Sequence, residues 1–106
     1  MDLANKSCVP CRGGVPPLRG EEISELAGQV ASWEVFAEHH LRRRYEFPNF
    51  RRALEFVNRV GELAEQEGHH PDVSFGWGYC ELTIYTHAVD GLTESDFILA
   101  AKIDRL

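Results

Sequence analysis

Long hydrophobic segments are missing from this chain of 106 residues. The longest uninterrupted apolar run extends only from Phe97 to Ala101, whereas a helix needs about 20 apolar residues to span a bilayer. The segment from Met1 to Ser7 also lacks the basic start and the apolar centre of a signal peptide. We therefore expect a cytoplasmic protein with no membrane partner.

Basic residues are in deficit, with 11 Lys and Arg against 17 Asp and Glu, so the formal net charge is −6. Non-specific binding to nucleic acid or to an anionic membrane depends on an excess of positive charge. We therefore expect no nucleic-acid partner. The negative net charge would not repel a small neutral ligand.

Cysteine is also scarce, with three residues in all. Cys8 and Cys11 form a Cys-x-x-Cys pair, but a structural zinc site needs four ligands and the sequence has no second pair. An odd number of cysteines suits a reducing compartment, where thiols stay free. Metal binding and redox chemistry remain open for the pair, and an incidental pair in a loop is the favoured interpretation.

The overall composition is that of one globular domain, since hydrophobic residues make up 43% and charged residues 26% of the chain. Residues 1–20 are rich in Gly and Pro, which predicts an extended N-terminal arm laid over the body. Residues 21–106 then form the single folded domain. No disulfide or metal should be needed for folding.

Apolar periodicity divides the domain into helices and strands. Helical spacing predicts a short helix from about Glu21, and a longer one whose inward face is Phe50, Ala53, Leu54, Val57, Val60, Gly61 and Ala64. Alternating residues predict two antiparallel hairpins, the second turning at Gly78 and running on through His87. Thr93 to Asp96 is typical of a capping box that opens a last helix. The prediction is an α+β fold of order αββαββα, in which a four-stranded antiparallel sheet carries helices on one face as a two-layer sandwich.

The first predicted hairpin carries two histidines and three arginines. His39 and His40 fall at its tip, where a solvated turn is the simplest interpretation. Arg42, Arg43 and Arg44 follow on the next strand. In an acidic chain we expect these arginines to pair with carboxylates or to lie at a subunit contact rather than to hold phosphate.

Three of the five histidines lie in one stretch of the chain. Its spacing is Glu65, three residues, His69-His70-Pro71, five residues, Trp77, nine residues, His87, eight residues, Asp96. Histidine exchanges protons near neutral pH because its unperturbed pKa is about 6.5. Since the Gly78 turn would pair the segment after Pro71 with the segment near His87, we expect these histidines to lie close together and to supply both an acid and a base.

Simpler interpretations exist for each of these residues taken singly. His69 could end a helix dipole, and Asp96 could merely complete the cap of the last helix. Glu65 could be an exposed helix carboxylate, and Trp77 could be a core residue or could stack on an aromatic heterocycle. Three histidines and a carboxylate also suit zinc or iron, but adjacent histidines do not easily point at one ion. We therefore expect no metal.

The spacing from Glu65 to Asp96 resembles the signature of the pterin-4a-carbinolamine dehydratases. The likeness extends to the Phe-rich helix beginning at Phe50 and to the pieces Thr86-His87 and Gly91-Leu92-Thr93-Glu94. The segment from Cys8 to Leu18 resembles part of some bacterial members. The resemblance implies the dehydration of 4a-hydroxytetrahydrobiopterin to the quinonoid dihydropterin in tetrahydropterin recycling, with no metal or cofactor.

The resemblance also implies roles for particular residues. The implied catalytic residues are His69, His70 and His87. The implied substrate-binding residues are Glu65, Pro71, Trp77 and Asp96. We expect His69 and His87 to stand on either side of the pterin C4a atom, where either can protonate the departing hydroxyl, while His70 anchors the ring and helps to take the N5 proton. Val73 stands where animal members have an aromatic residue, so ring packing differs there.

Two other functions remain open. The animal member of the family serves as a dimerisation partner of a transcription factor, so a non-enzymatic pterin-binding or partner role is one alternative. Pterin handling in molybdenum-cofactor metabolism is the other. We also expect a homo-dimer or homo-tetramer, because a small domain with an open sheet face gains by covering that face with a second copy.

Overall fold

The computed structural model describes residues 3–8 and 16–106. The helices and strands within these ranges are α1 Gly20–Ala27, β1 Glu34–Phe36, β2 His40–Glu46, α2 Phe50–Glu67, β3 Asp72–Gly76, β4 Tyr79–Ile84 and α3 Glu94–Ile103. Short 3₁₀ turns occupy Leu3–Asn5 and His87–Val89. The predicted order αββαββα is therefore confirmed.

The four strands form one antiparallel sheet in the order β1-β2-β4-β3. The two central strands direct Leu41, Leu82 and Ile84 toward the helices, and all three side chains are fully buried. Alternate positions, including Glu81 and Thr83, lie on the opposite, more open face. The predicted α+β sandwich, with helices on one face of a four-stranded sheet, is confirmed.

Both ends of α2 are set by the residues expected from the sequence. The side-chain oxygen of Asn49 accepts a hydrogen bond from the backbone N–H of Arg52 at 2.9 Å, which satisfies a free amide of the first turn. Gly68 ends the helix in the left-handed conformation, with φ of 64°, a geometry that glycine adopts without steric cost.

The inward face of α2 differs from the predicted one by a rotation about the helix axis. The buried residues of this helix are Ala53, Phe56, Val60 and Ala64. Phe56 was missing from the predicted face, whereas Phe50 is 45% exposed and Gly61 is also exposed. The rings of Tyr45, on β2, and Phe47, just after it, lie 4.5 and 5.3 Å from the Phe56 ring, and these contacts place Phe56 inside.

The predicted strand through His87 was wrong, because β4 ends at Ile84. The backbone N–H of Thr86 donates to the carbonyl of Gly91 at 2.8 Å, and the N–H of Gly91 donates back at 3.3 Å. This pairing closes a loop over residues 86–91, so His87 begins a 3₁₀ turn instead of continuing the strand.

The first described residues pack onto the C-terminal helix. Leu3 and Ala4 are buried, and the Lys102 ammonium donates to the carbonyl of Ala4 at 3.0 Å. Leu3–Asn5 forms a 3₁₀ turn, where the sequence predicts extended chain. Cys8 donates its backbone N–H to Glu67 at 3.0 Å, and burial raises the pKa of its thiol to about 12. Cys11 lies outside the described residues.

The three arginines of β2 pair with carboxylates, which confirms that part of the expectation. Arg43 meets Asp104 at 2.7 Å on the helix side of the sheet. On the open face, Arg42 lies 3.8 Å from Glu81, and Arg44 lies 3.6 Å from Glu46. Among the described residues, no helix combines the length and the apolar character that a membrane crossing requires.

Replacing Asn49 with Ala should lower the free energy of unfolding by about 1 kcal/mol, because Ala cannot accept the amide of the first helical turn. Urea denaturation measures this change. Asn58→Ala, on the exposed side of α2, is the matched control and should stabilise the helix by no more than about 0.7 kcal/mol. Equal losses from both substitutions would contradict the capping role.

Candidate active site

A cavity of about 250 Å³ opens where β3 begins and β4 ends. Asp72 pairs with Thr83 at this end of the hairpin, so the residues before β3 and after β4 are neighbours. The residues that line the cavity are Gly68, His69, His70, Pro71, Asp72, Tyr85, Thr86 and His87. The structure therefore brings the three histidines of the spacing pattern into one cavity, as the hairpin register predicts.

The end of α2 delivers the two adjacent histidines to this cavity. The backbone N–H groups of Gly68 and His69 both turn back to the carbonyl of Ala64, the latter at 3.2 Å. Pro71 then restricts His70 to extended geometry. The pair is held in a short, stiff connection between the helix and β3.

His69 is fixed by a buried carboxylate. Its Nε2 lies 2.5 Å from Oδ1 of Asp96, and the two side chains are 12% and 0% exposed. The other carboxylate oxygen, Oδ2, accepts from the Thr86 hydroxyl and from the backbone N–H of Thr93, each at 2.8 Å. A buried carboxylate is stable when donors surround it in this way. Asp96 therefore completes the helix cap and holds His69 at the same time.

The contact with Asp96 determines which nitrogen of His69 carries a proton. An ionised carboxylate only accepts hydrogen bonds, so Nε2 of His69 is the donor. In the neutral ring Nδ1 is then unprotonated, and it is the nitrogen left to accept a proton. The same carboxylate would stabilise the imidazolium that forms after that transfer.

His70 has a carboxylate partner of a different kind. Its Nε2 lies 2.5 Å from Oε2 of Glu65, in the last turn of α2, but both side chains are exposed. Exposed ion pairs contribute little to stability because water screens them. Glu65 can therefore orient His70 without fixing it rigidly.

His87 reaches the cavity from the segment after β4 and is exposed. Its imidazole lies 4.2 Å from the ring of Tyr85, centroid to centroid, at an interplanar angle of 35°. The three histidines thus differ in environment, since one is buried on a carboxylate, one is exposed beside a carboxylate and one packs on an aromatic ring. Such differences allow similar groups to take acid and base roles at one pH.

Three of the predicted site residues do not line the cavity. Asp96 and Glu65 each hold one of the lining histidines, whereas Trp77 lies elsewhere. It lies with Gly78 in the turn between β3 and β4 and is 72% exposed. The cavity is at the other end of this hairpin. Each residue of the intervening strand adds about 3.3 Å to the separation. Within one chain Trp77 does not lie beside the histidines, and its assignment as a substrate-binding residue stays a prediction.

Tyr85 and Thr86 are cavity residues that sequence reasoning missed. The sequence features that could have identified them are their position directly before His87 and the side-chain hydroxyl of Thr86. His39 lies in a turn, as predicted, but its side chain is only 33% exposed, because its ring packs 4.6 Å from that of Tyr85. In residues 3–8 and 16–106, no group of three or more His, Cys, Asp or Glu side chains is arranged to hold a metal ion.

Comparison of the sequence with known proteins gives consistent matches. The pattern of the family described as Pterin 4 alpha carbinolamine dehydratase matches residues 16–106. A relative from Rubrobacter xylanophilus, provisionally named a pterin-4-alpha-carbinolamine dehydratase, is 67% identical over 99% of this chain and 98% of its own length. A relative from Rickettsia bellii with the same provisional name is 53% identical, over 98% of this chain and 93% of its own length.

Solved structures of other proteins share the fold. The transcriptional coactivator/pterin dehydratase from Brucella melitensis matches with a TM-score of 0.78 at 26% identity, covering 84% of this chain and 96% of that one. A pterin dehydratase-like protein identified as a RuBisCO assembly factor in the alpha-carboxysome matches with a TM-score of 0.60 at 25% identity. The match covers 70% of this chain and 87% of the assembly factor.

Replacing Asp96 with Asn should lower the free energy of unfolding by about 1–3 kcal/mol. The NH₂ group of Asn would face one of the donors that bind the carboxylate, and buried polar groups would be left unpaired. Chemical denaturation of the variant and the wild type measures the change. Glu94→Gln, at an exposed position in the first turn of the same helix, is the control and should change stability by about 0.5 kcal/mol or less. A tolerated Asp96→Asn would argue against the buried carboxylate as the organising group.

Proposed function

The chain belongs to the pterin-4a-carbinolamine dehydratase family, and we propose that it removes water from 4a-hydroxytetrahydrobiopterin in tetrahydropterin recycling. The family resemblance inferred from the sequence is thereby confirmed, and the reaction class is that of a lyase. The observation that carries the proposal is the convergence of His69, His70 and His87 on one cavity. The expected cytoplasmic location stays a prediction from the sequence.

The proposed reaction requires one proton to be given and one to be taken. The C4a–O bond breaks as the hydroxyl accepts a proton and leaves as water. The N5–H bond releases a proton, and its electron pair forms the C4a=N5 double bond of the quinonoid dihydropterin. Imidazole groups perform both transfers near neutral pH, so no redox partner is needed.

His69 suits the proton-accepting step best. Its Nε2 is bound to Asp96, so Nδ1 of the neutral ring accepts the N5 proton and the carboxylate stabilises the resulting charge. His87, in the segment after β4, protonates the departing hydroxyl. His70 anchors the pterin ring, with its own orientation set by Glu65. This assignment transfers the N5 step from His70, where the sequence put it, to His69.

An enzymatic role is favoured over a purely structural one. The coactivator/dehydratase and the RuBisCO assembly factor show that this fold occurs in proteins described by other activities. In this chain the complete histidine set lines a cavity and two of its members are bound to carboxylates. A protein that only binds a partner would not need three proton-transfer groups in different environments.

We also propose that the chain works as a homo-oligomer. Phe50, Val73 and Trp77 are exposed, and the latter two lie on the edge strand β3 and its turn. Exposed apolar groups on a sheet edge favour pairing with another copy. Light scattering after size exclusion should give a dimer or tetramer mass, which Trp77→Ser should shift toward the monomer. A monomeric wild type would contradict this proposal.

The dehydration rate tests the proposed reaction. Freshly generated 4a-hydroxytetrahydropterin should lose water faster in the presence of the protein, as followed by absorbance. His69→Ala and His87→Ala should each lower the rate by about 10²-fold or more, the usual contribution of a positioned proton-transfer group. Unaccelerated dehydration by folded wild-type protein that still binds a pterin would favour a binding role.

A matched pair of glutamates serves as the control for this experiment. Glu65 contacts His70, whereas Glu62 lies one turn earlier on α2 and is equally exposed. Glu65→Gln should raise the KM for the pterin by a few fold, because His70 loses its charged partner. Glu62→Gln should leave the kinetics unchanged. Identical kinetics for the two variants would mean that the contact with Glu65 does not matter.

A further inference from the structure

A second group of polar and aromatic side chains lies beside the cavity, at the tip of the β1–β2 hairpin. Nε2–H of His39 donates to Oδ1 of Asp90 at 2.8 Å. The ring of His39 lies 4.6 Å from that of Tyr85, which in turn lies 4.2 Å from that of His87. A continuous line of rings therefore runs from the hairpin tip to the wall of the cavity.

The loop that carries His87 is anchored at two points. At its base, Thr86 pairs with Gly91 and donates its hydroxyl to the buried Asp96 at 2.8 Å. One residue before Gly91, Asp90 adopts a left-handed conformation, with φ of 50°, and there it meets His39. The second anchor thus comes from a different hairpin from the one that ends at the loop.

The orientation of His39 is itself constrained. Its Nδ1 lies 3.1 Å from Nδ1 of His40, and His40 stacks on Phe36 with ring centroids 5.4 Å apart. Since Nε2 of His39 donates to Asp90, its Nδ1 in the neutral ring accepts from Nδ1–H of His40. Both ring nitrogens are therefore occupied, and the imidazole is held in one plane against Tyr85.

We propose that Tyr85, held by His39 and Asp90, is a positioning residue that orients His87 for proton transfer. The inference rests on the proposed dehydration and goes beyond it by adding residues of the first hairpin to the site. His87 is exposed, so the ring of Tyr85 and the closure of its loop limit its rotamers. Proton transfer needs such restriction, because a misplacement of about 1 Å can cost up to about 10²-fold in rate.

The geometry also predicts how much Tyr85, His39 and Asp90 each contribute to orienting His87. Asp90 has an 87% exposed side chain, and water weakens an ion pair at such a site. The ring packing of Tyr85 between two imidazoles is half-buried and does not depend on charge. Loss of the Tyr85 ring should therefore cost more than loss of the Asp90 carboxylate, with loss of His39 between them.

Steady-state kinetics of three variants tests the order of Tyr85 and His39 in this ranking. Tyr85→Leu should lower kcat by about 10-fold to 10²-fold, Tyr85→Phe should retain nearly the wild-type kcat because it keeps the ring, and His39→Ala should lower kcat by a few fold. His39 and Asp90 line a neighbouring cleft, so an effect of His39→Ala on kcat with little change in KM supports positioning rather than substrate contact. Tyr79→Leu is the matched control, because Tyr79 is the first residue of β4, at the opposite end of the strand that Tyr85 directly follows.

The NMR signal of the His87 imidazole gives a readout that does not depend on turnover. The Tyr85 ring should shift the His87 ring protons in the free wild-type protein. This shift should vanish in Tyr85→Leu, diminish in His39→Ala and persist in Tyr85→Phe and Tyr79→Leu. Unchanged His87 signals and unchanged kcat in His39→Ala would overturn the inference, even if Tyr85→Leu did not fold.

The two proposals fail in different ways. If the wild type does not accelerate dehydration, the proposed function fails, and the His87 signals still decide whether Tyr85 and His39 orient that side chain. If the wild type is active and the His39→Ala and Tyr85→Leu variants match it in kcat and in the His87 signals, only the positioning role is wrong.

Discussion

The carboxylate of Asp96 is the group on which the rest of this structure depends. It is fully buried, and its donors come from the backbone of Thr93 at its own helix cap, from Thr86 after β4 and from His69 after α2. An unpaired charge in this position would be strongly destabilising. Three elements must therefore keep their relative positions, and the wall of the cavity is fixed as a consequence of the fold.

The three histidines of the cavity differ in how firmly they are held. His69 is nearly buried and bound to a buried group, whereas His70 and His87 are exposed and contact groups that are themselves accessible. A site of this kind combines one fixed proton acceptor with two side chains that adapt to the ligand. Folding itself holds His69 in place, since the carboxylate that binds it also caps α3 and joins the ends of α2 and β4.

Sequence reasoning succeeded where the signal lay within a few residues and failed where it depended on packing. The cap at Asn49 and the hairpin register that brings Pro71 near His87 are local patterns, and both are present in the structure. Trp77 was grouped with the histidines by the family spacing, although its position beside the predicted Gly78 turn puts it at the other end of the hairpin. His39 was judged by its own turn alone, while its contacts with Tyr85 and Asp90 come from distant parts of the chain.

The sequence by itself determined the order of the elements, the family and the three histidines, because short-range periodicity, caps and residue spacing encode them directly. The tertiary structure alone decided that β2 pairs with β4, that His69 is bound to Asp96, and that Tyr85 is enclosed between two imidazoles. These contacts join residues that are close in space through the packing of helices on the sheet. Their geometry depends on side-chain volumes and burial across the whole core, which no local pattern specifies.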